Sequence, residues 1–337
     1  MRQWIVQKGA ASLDDYELRE VETPAPGAGE VLVRVRACSL NYRDQAIARG
    51  VYMGGPVPED IVPLSDGAGE IAALGEGVTG LAVGDRVAGI FFQNWMDGPP
   101  NPGVGPALGA AGGAGMLQDY VVLPAHGVVP LAKSLSFEEA ACLPCAGVTA
   151  WNALMEGPRP TKAGESVLVL GTGGVSLLAL QIAKAAGAKV VATSGSAEKI
   201  ERVKQLGADA VVNYREVPAW GAEAAKLAGG GFNHVVEVGG AGTLAQSIAA
   251  VGFAGEIALI GVLTREGDTS PHGLMFKGAS IRGIFVGSKG MAERLNAFVD
   301  AHGIKPVIDR TFPMEQALDA YRYQSSAALY GKVVITL

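Results

Sequence analysis

Val167–Leu180 reads VLVLGTGGVSLLAL. Four aliphatic residues, apolar on both faces of a strand, run into a glycine turn and then into a helical pattern. That order of elements is the one that cradles a dinucleotide pyrophosphate. In the fingerprint G-x-G-x-x-G the first glycine makes the tight turn, the second lets the backbone approach the phosphates, and the third lets helix and strand pack closely. Gly171 and Gly173 fill the first two places, and Ser176 stands in the third. The phosphate-binding half is intact, because only a packing position has changed, and to another small residue. Gly171, Thr172, Gly173, Gly174 and Val175 are therefore expected to hold the phosphates, aided by the free N–H groups and positive dipole end of a helix predicted over 174–186. A motif this degenerate, taken alone, also fits a merely structural turn.

Its surroundings argue for the nucleotide reading. From Ser166 to Val286 the apolar runs SVLVL, KVVAT, DAVVNY, HVVEV, EIALI and SIRGIFV alternate with helical segments such as AEKIERVKQLG and AGTLAQSIAAVG. Strands buried on both faces and spaced by amphipathic helices predict a doubly wound parallel sheet, a Rossmann domain. At the end of its second strand an NAD-specific site carries Asp or Glu for the ribose 2'-hydroxyl. This sequence has TSGSAEK there. Ser194, Ser196 and Lys199 suit a 2'-phosphate, which needs donors and positive charge, and they favour NADPH over NADH. Ser196 also reads as a helix cap and Lys199 as a surface charge.

The chain has 337 residues and a formal net charge of -6, enough length for two domains and no basic run of the kind nucleic-acid binding requires. Its start, MRQWIVQKGA, lacks the pattern of a secretory signal, and no apolar run is long enough to span a bilayer. A cytoplasmic enzyme with a small-molecule substrate, and no nucleic-acid or membrane partner, is the expectation. Cys38, Cys142 and Cys145 form no even framework; the last two, in FEEAACLPCAGVTAWNAL, read as packing residues of an apolar helix. The first part of the chain, with alternating runs such as EVLVRVRAC and many Gly and Pro, predicts a β-rich, mostly antiparallel domain over 1–130. The parallel-sheet domain is placed at 131–287, and the tail 288–337, ending in GKVVITL, is expected to rejoin the first domain. Gly98–Gly115, nearly without core-building side chains, reads as a surface loop or as a lid over a cleft.

These motifs, with ETPAPGAGEVLVRV, GAGEIAALGEGVTGLAVGDRV and LPCAGVTAW, resemble the medium-chain dehydrogenase/reductase superfamily over essentially the whole chain. The resemblance implies an α/β fold in which a GroES-like, β-rich catalytic domain precedes the Rossmann domain, with NAD(P) chemistry and commonly a homodimer paired through the last strand, here SIRGIFV. Zinc members of the superfamily hold a catalytic ion by Cys, His and carboxylate ligands. The positions that match those ligands are Asn41, the pair Ser65 and Asp66, and Cys145, so that one ligand of the set is kept. The loop matching the structural zinc lobe contains no cysteine. The sequence therefore resembles the zinc-independent, quinone oxidoreductase-like branch, and no metal is expected.

The resemblance also supplies site residues. Asn41 matches an asparagine near the nicotinamide ribose and substrate, Tyr42 follows it, and Tyr52 matches the place of a proton-donating tyrosine in enoyl reductases, although its surroundings, GVYMGGPVP, depart from that pattern. Turn and packing roles are the alternatives for these three. Thr149 matches a threonine that contacts the nicotinamide, or is an ordinary buried helix residue. Tyr214 is expected beside the adenosine or its 2'-phosphate, with Arg215 adding charge. Val238, Gly239, Gly240, Gly261 and Val262 follow the fourth and fifth strands, and Phe285 and Val286 end the sixth, where the carboxamide is expected. Trp95 could wall an apolar pocket, and the four histidines carry no metal-ligand spacing. Three readings follow: an NADPH-dependent enone or quinone reductase, an alcohol dehydrogenase or carbonyl reductase, and a nucleotide-binding protein with little catalysis.

Overall fold

The computed structural model describes every residue except Val262, Arg265 and Asp268. It divides the chain into two units, one formed by Met1–Val148 with Gly287–Leu337 and the other by Thr149–Val286.

In the first unit RQWIV forms β1 (Arg2–Val6), paired antiparallel with β2 (Tyr16–Glu20). The run EVLVRVRACS forms β3 (Glu30–Ser39), the hub of a larger sheet. It leads into α1 (Tyr42–Ala48), and then come β4 (Asp66–Leu74), β5 (Arg86–Gly89), β6 (Tyr120–Pro124) and β7 (Val128–Pro130). Strand β3 pairs antiparallel with both β4 and β6, and its buried valines Val31, Val33 and Val35 face a core that includes Leu64, Leu108 and Leu123. The following segment contains α2 (Phe137–Ala140) and a π-helical turn at Leu143–Gly147 before α3 (Val148–Met155). The expected single apolar helix around Cys142 and Cys145 is thus interrupted, with Pro144, which cannot donate a backbone bond, inside the widened turn.

The second unit contains β8 (Ser166–Leu170), α4 (Gly174–Ala185), β9 (Lys189–Ser194), α5 (Ala197–Gln205), β10 (Ala210–Asn213), α6 (Trp220–Leu227), β11 (Phe232–Glu237), α7 (Ala241–Ala250), β12 (Val251–Leu259), α8 (His272–Lys277) and β13 (Ser280–Gly283). All six strands are parallel, in the order β10-β9-β8-β11-β12-β13. Numbered within the unit this is 3-2-1-4-5-6, the doubly wound order whose reversal beside the first strand opens a ligand crevice. The aliphatic runs explain it: Val167, Leu168 and Val169 are wholly buried, and each such side chain removed from water contributes about 1.5–3 kcal/mol.

The chain then returns through α9 (Lys289–His302), β14 (Ile308–Pro313), α10 (Ala317–Gln324) and β15 (Lys332–Thr336). GKVVITL does rejoin the first unit, because β15 pairs antiparallel with β3 and extends its sheet to β14-β15-β3-β4-β5-β7. The unit boundary lies at 148/149, not at the 130/131 drawn from the sequence. Residues 131–148 are tied to the β domain: the Ser39 hydroxyl donates to the Ala141 carbonyl at 2.8 Å, and the Cys145 N–H donates to Asp66 Oδ2 at 3.1 Å.

Gly98–Gly115 is only partly the loop expected of it. Its second half enters the core, with Leu108 wholly buried and its N–H donating to the Phe91 carbonyl at 3.0 Å. Glycine makes that entry possible, since a side chain at Gly109 or Gly115 would collide with the backbone at Leu64 or Val62. Trp95 also belongs to packing and not to a pocket wall. It is 2% exposed, and its ring N–H donates to the Gly98 carbonyl at 3.0 Å.

Candidate active site

At the end of β8 the fingerprint has its expected form. Gly171 adopts φ +71°, a conformation that favours glycine, and its N–H donates to the Thr193 carbonyl at 3.0 Å. Gly173 precedes α4 in extended conformation, and the direction its missing Cβ would take is open. The first N–H groups of a twelve-residue helix and an unobstructed glycine fit a bound pyrophosphate. Ser176 is buried and donates through Oγ to the Leu170 carbonyl at 2.6 Å. Where a glycine would bring helix and strand together by having no side chain, this serine ties them with a hydrogen bond. Thr172 is buried in the turn, and Gly174 and Val175 open the helix.

The end of β9 collects the residues read for the 2'-phosphate. Ser194 is buried, and its Oγ accepts from the Ser196 N–H at 3.4 Å. Ser196 caps α5 by accepting from the Lys199 N–H, so the capping role holds. Across Gly195 stand Tyr214 and Arg215: a Cβ on that glycine would lie 2.7 Å from the tyrosine ring and 2.9 Å from Arg215 Nε. An aromatic ring, a guanidinium and the two serines thus meet at one strand end.

The ends of β11 and β12 are bound together by a residue that sequence reasoning passed over. Glu237, wholly buried, accepts from the N–H groups of Gly239 at 2.7 Å and Gly240 at 2.9 Å and from the hydroxyls of Thr243 and Ser247. Four donors stabilise the carboxylate and fix the turn that carries Val238 and Gly239. The Gly261 N–H donates to the Glu237 carbonyl at 3.0 Å, and any side chain at Gly261 would strike the Val238 backbone. Val262 lies outside the described residues.

After β13, Phe285 is half exposed and Val286 has φ +53°, a strained conformation for a β-branched residue. A chain of polar contacts holds it. Glu256 accepts from Arg282 Nε at 2.9 Å, Arg282 Nη1 donates to Asn152 Oδ1 at 3.0 Å, and Asn152 Nδ2 donates to the Val286 carbonyl at 2.8 Å. Thr149 lies buried one turn earlier on the same helix as Asn152. The signal for this network was a buried-type strand, SIRGIFV, with an arginine inside it.

In the first unit the positions that match zinc ligands come together. Asp66, wholly buried, accepts from the Ser65 hydroxyl at 2.8 Å and from the Cys145 N–H. Desolvation, with the Asp66 charge beside it, pushes the Cys145 thiol above its ordinary pKa. Asn41 is 8% exposed, and its Oδ1 accepts from the Lys332 ammonium at 2.6 Å. Lys332, from GKVVITL, also donates to the Leu40 carbonyl at 2.7 Å and lies 3.9 Å from Asp66 Oδ2. No spacing rule linked Lys332 to this cluster, because 291 residues separate it from Asn41.

Tyr42 is 45% exposed at the start of α1. Tyr52 is half-buried, and its ring stacks on the Arg43 guanidinium 5.0 Å away, with Phe91 at 4.9 Å also facing that cation. Arg43 itself donates to the Leu108 carbonyl. Burial pushes the neighbouring Asp44 carboxyl up to about 6, against the pull of Arg43 and of the Asn41 N–H that donates to it at 2.7 Å. Among the described residues no three His, Cys, Asp or Glu gather in a group that could hold a metal ion.

Two domain families match this chain: the alcohol dehydrogenase GroES-like domain over 27–133 and the zinc-binding dehydrogenase domain over 174–301. A zinc-type alcohol dehydrogenase-like protein of Schizosaccharomyces pombe is 46% identical, with 99% of both chains covered. The chain belongs to the medium-chain dehydrogenase/reductase superfamily. It is accordingly an NAD(P)-dependent oxidoreductase, with the GroES-like and Rossmann architecture of that superfamily. A quinone oxidoreductase of Rattus norvegicus is 30% identical over 94% of this chain and 92% of its own. A solved NAD-dependent alcohol dehydrogenase superimposes with a TM-score of 0.88 at 34% identity, covering both chains fully. Superfamily membership therefore spans quinone and alcohol chemistry, and the residues of the site have to choose between them.

Proposed function

We propose that this protein is a zinc-independent, NADPH-dependent reductase of small apolar enones or quinones. The observation that carries the reading is the polar cluster of the first unit. Catalytic zinc needs three protein ligands and an open position. Here the four matching positions hold an amide, a hydroxyl, a carboxylate engaged by two donors, and one thiol, whose own backbone N–H is among those donors. Lys332 adds a fixed ammonium 3.9 Å from the carboxylate, where it competes with any cation. Without a Lewis acid to polarise an isolated carbonyl or alcohol, conjugated acceptors are the easier substrates. A nicotinamide cofactor held by the glycine turn would supply a hydride to the conjugated carbon of the acceptor, whose π pair would move onto its carbonyl oxygen, a proton then completing the product. Asn41 is the candidate donor to that oxygen, and Tyr52 and Tyr42 on the adjoining turn and helix are the candidates for proton delivery and pocket lining.

NADPH is favoured by Ser194, Ser196, Lys199 and Arg215 at the end of β9 and β10, where no carboxylate binds a 2'-hydroxyl. The remaining cofactor contacts are assigned to Thr149, Tyr214, Val238, Gly239, Gly261, Phe285 and the strained Val286. A cytoplasmic location suits three free thiols, Cys38, Cys142 and Cys145, and no helix among the described residues is long and apolar enough to cross a membrane. A homodimer is supported by the open edge of the parallel sheet: β13 carries exposed Ile281, and α8 before it exposes Met275 and Phe276. Likeness to the NAD-dependent alcohol dehydrogenase favours a second reading, oxidation of simple alcohols.

The test is initial rates with NADPH and NADH against 9,10-phenanthrenequinone, a simple enone and a simple aldehyde, beside the reverse reaction with simple alcohols. Quinone or enone turnover with NADPH preferred is the expected result. Alcohol oxidation with NAD as the fastest reaction would replace this reading by the second, and tight NADPH binding without turnover of any acceptor would leave only a nucleotide-binding role.

A further inference from the structure

Lys332 is a charged side chain held almost wholly out of water, 4% exposed, at the start of β15. Its three donors are directed at the Leu40 carbonyl, the Asn41 side-chain oxygen and, more distantly, Asp66. An ammonium has no acceptor capacity. At 2.6 Å from Nζ, the Asn41 amide can present only its oxygen. The orientation of this amide is therefore chemically forced, and its nitrogen must face away from Lys332. That Nδ2 is buried and finds no acceptor among the described residues. Burying a donor without a partner is costly, and an orientation that leaves one unpaired persists only where something else enforces it.

We propose that Lys332 is a positioning residue: it holds Asn41 by its oxygen so that Nδ2 is the atom offered to the reacting molecule, as donor to the carbonyl oxygen that gains the electron pair. The inference rests on reading Asn41 as a contact of that molecule. It goes further in three ways: it assigns a role to Lys332, fixes Asn41 as donor and not acceptor, and restricts the substrate to one that presents an oxygen acceptor at that point. The same contact explains the arrangement around it. Asp66 balances the ammonium, and Ser65 and the Cys145 N–H hold Asp66 in place. Positions that would otherwise hold a cation thus serve to hold a lysine in place.

Two substitutions separate the parts. Asn41→Asp keeps an oxygen for Lys332 and replaces the Nδ2 donor by a second, acceptor-only carboxylate oxygen. By analogy with the loss of one donor to a developing oxyanion, kcat with phenanthrenequinone should fall about 100-fold or more, with the Kd for NADPH, read by fluorescence titration, within about twofold of the native value. Lys332→Met frees the amide to turn, and should lower kcat by about tenfold, less than loss of the donor itself. Lys332→Met combined with Asn41→Ala should cost no more than Asn41→Ala alone, since a positioning residue has nothing left to position. The side-chain amide resonances of Asn41, assigned in cofactor-free protein by their disappearance in Asn41→Asp, should shift in Lys332→Met. If Lys332→Met proves unstable, the same measurements on Lys332→Met/Asp66→Asn, which leaves no lone buried carboxylate, take its place.

Multiplicative losses in the double variant, or Asn41 resonances indifferent to Lys332, would overturn the inference while leaving Asn41 as a contact. Native kcat in Asn41→Asp would remove Asn41 from the site and, with it, both the contact and the role of Lys332.

Discussion

The glycine turn after β8 and the polar cluster around Asn41 are built by opposite means. The turn is made of backbone: Gly171 supplies a positive φ, Gly173 an open approach, and α4 its free N–H groups. Removing side chains creates that site, and the side chains it does use face inward: the Ser176 hydroxyl donates to a carbonyl of β8, and the Thr193 hydroxyl accepts from the Gly171 N–H. In the cluster, buried charges do the corresponding work. Lys332, Asp66 and Asp44 are desolvated; the first two depend on neighbours brought from distant parts of the chain, and Asp44 accepts from the Asn41 N–H of its own turn. A backbone site tolerates changes in the surrounding core and fails when bulk or charge enters the turn. A side-chain cluster fails when any one member is removed, because the partner left behind is a buried charge.

The sharpest way to break this contrast is Asp66→Ala. It leaves Lys332 buried without its counter-charge, and about 3–5 kcal/mol of stability should be lost, as measured by urea unfolding. NADPH affinity in the folded fraction should be unchanged. A variant as stable as the native protein would mean that the cluster is not held by charge pairing, and unchanged turnover would remove Asp66 from the site.

Asp44 offers the next largest effect. Its folded pKa of about 6 lies above the unfolded value of 3.8, so between roughly pH 4 and 6 the folded state retains a proton that the unfolded chain has lost. Stability contributed by this group therefore falls as pH rises through that window, by about 3 kcal/mol in total, and the penalty of the buried charge is fully present above it. Asp44→Asn should flatten the slope of unfolding free energy against pH between 4 and 6. An unaltered slope would place the ionised carboxylate at no cost in its surroundings.

Gly173→Asp probes the other side. The open space beyond this glycine accommodates the side chain, so the melting temperature should stay within about 2 °C of native. A carboxylate placed where the phosphates approach should weaken NADPH binding by about 100-fold in fluorescence titration. Loss of folding instead of loss of affinity would show that the turn, too, is held by its packing.

How far each region could be read from the sequence follows from the same difference. The turn and the six strands lie in continuous, periodic stretches, and the strand order follows from the alternation of apolar runs with helices. The β domain, its parallel-sheet partner and the return of GKVVITL were legible in outline. The boundary at 130/131 was not, because α2 and the π-helical turn look like the start of a helical domain until Ser39 and Asp66 are seen to bind them. Leu108 was hidden for a related reason: glycines, which looked like the mark of a loop, are what lets that backbone into the core. Asn41, Ser65, Asp66 and Cys145 could be picked out by resemblance. Lys332, Glu237 and the chain from Glu256 through Arg282 and Asn152 to Val286 could not, because each acts through a contact that only the fold creates.

A smaller test bears on the one place where the two styles meet. Ser176→Gly restores the full three-glycine fingerprint but removes the bond to Leu170 and adds a glycine to α4. About 1–2 kcal/mol of stability should be lost, with NADPH affinity nearly unchanged. A gain in stability would show that the serine is a tolerated departure and not a tie between helix and strand.

The most direct measurement of the central claim is the turnover of phenanthrenequinone with NADPH after exhaustive dialysis against a chelator, with residual zinc quantified in the same sample and zinc then added back. Full activity at less than about one zinc per ten chains, unaffected by added zinc, is the predicted result, since three protein ligands are the least a catalytic zinc site uses. Activity that disappears with the metal and returns in proportion to zinc restored would contradict it, and would assign the cluster around Asp66 and Cys145 to metal binding.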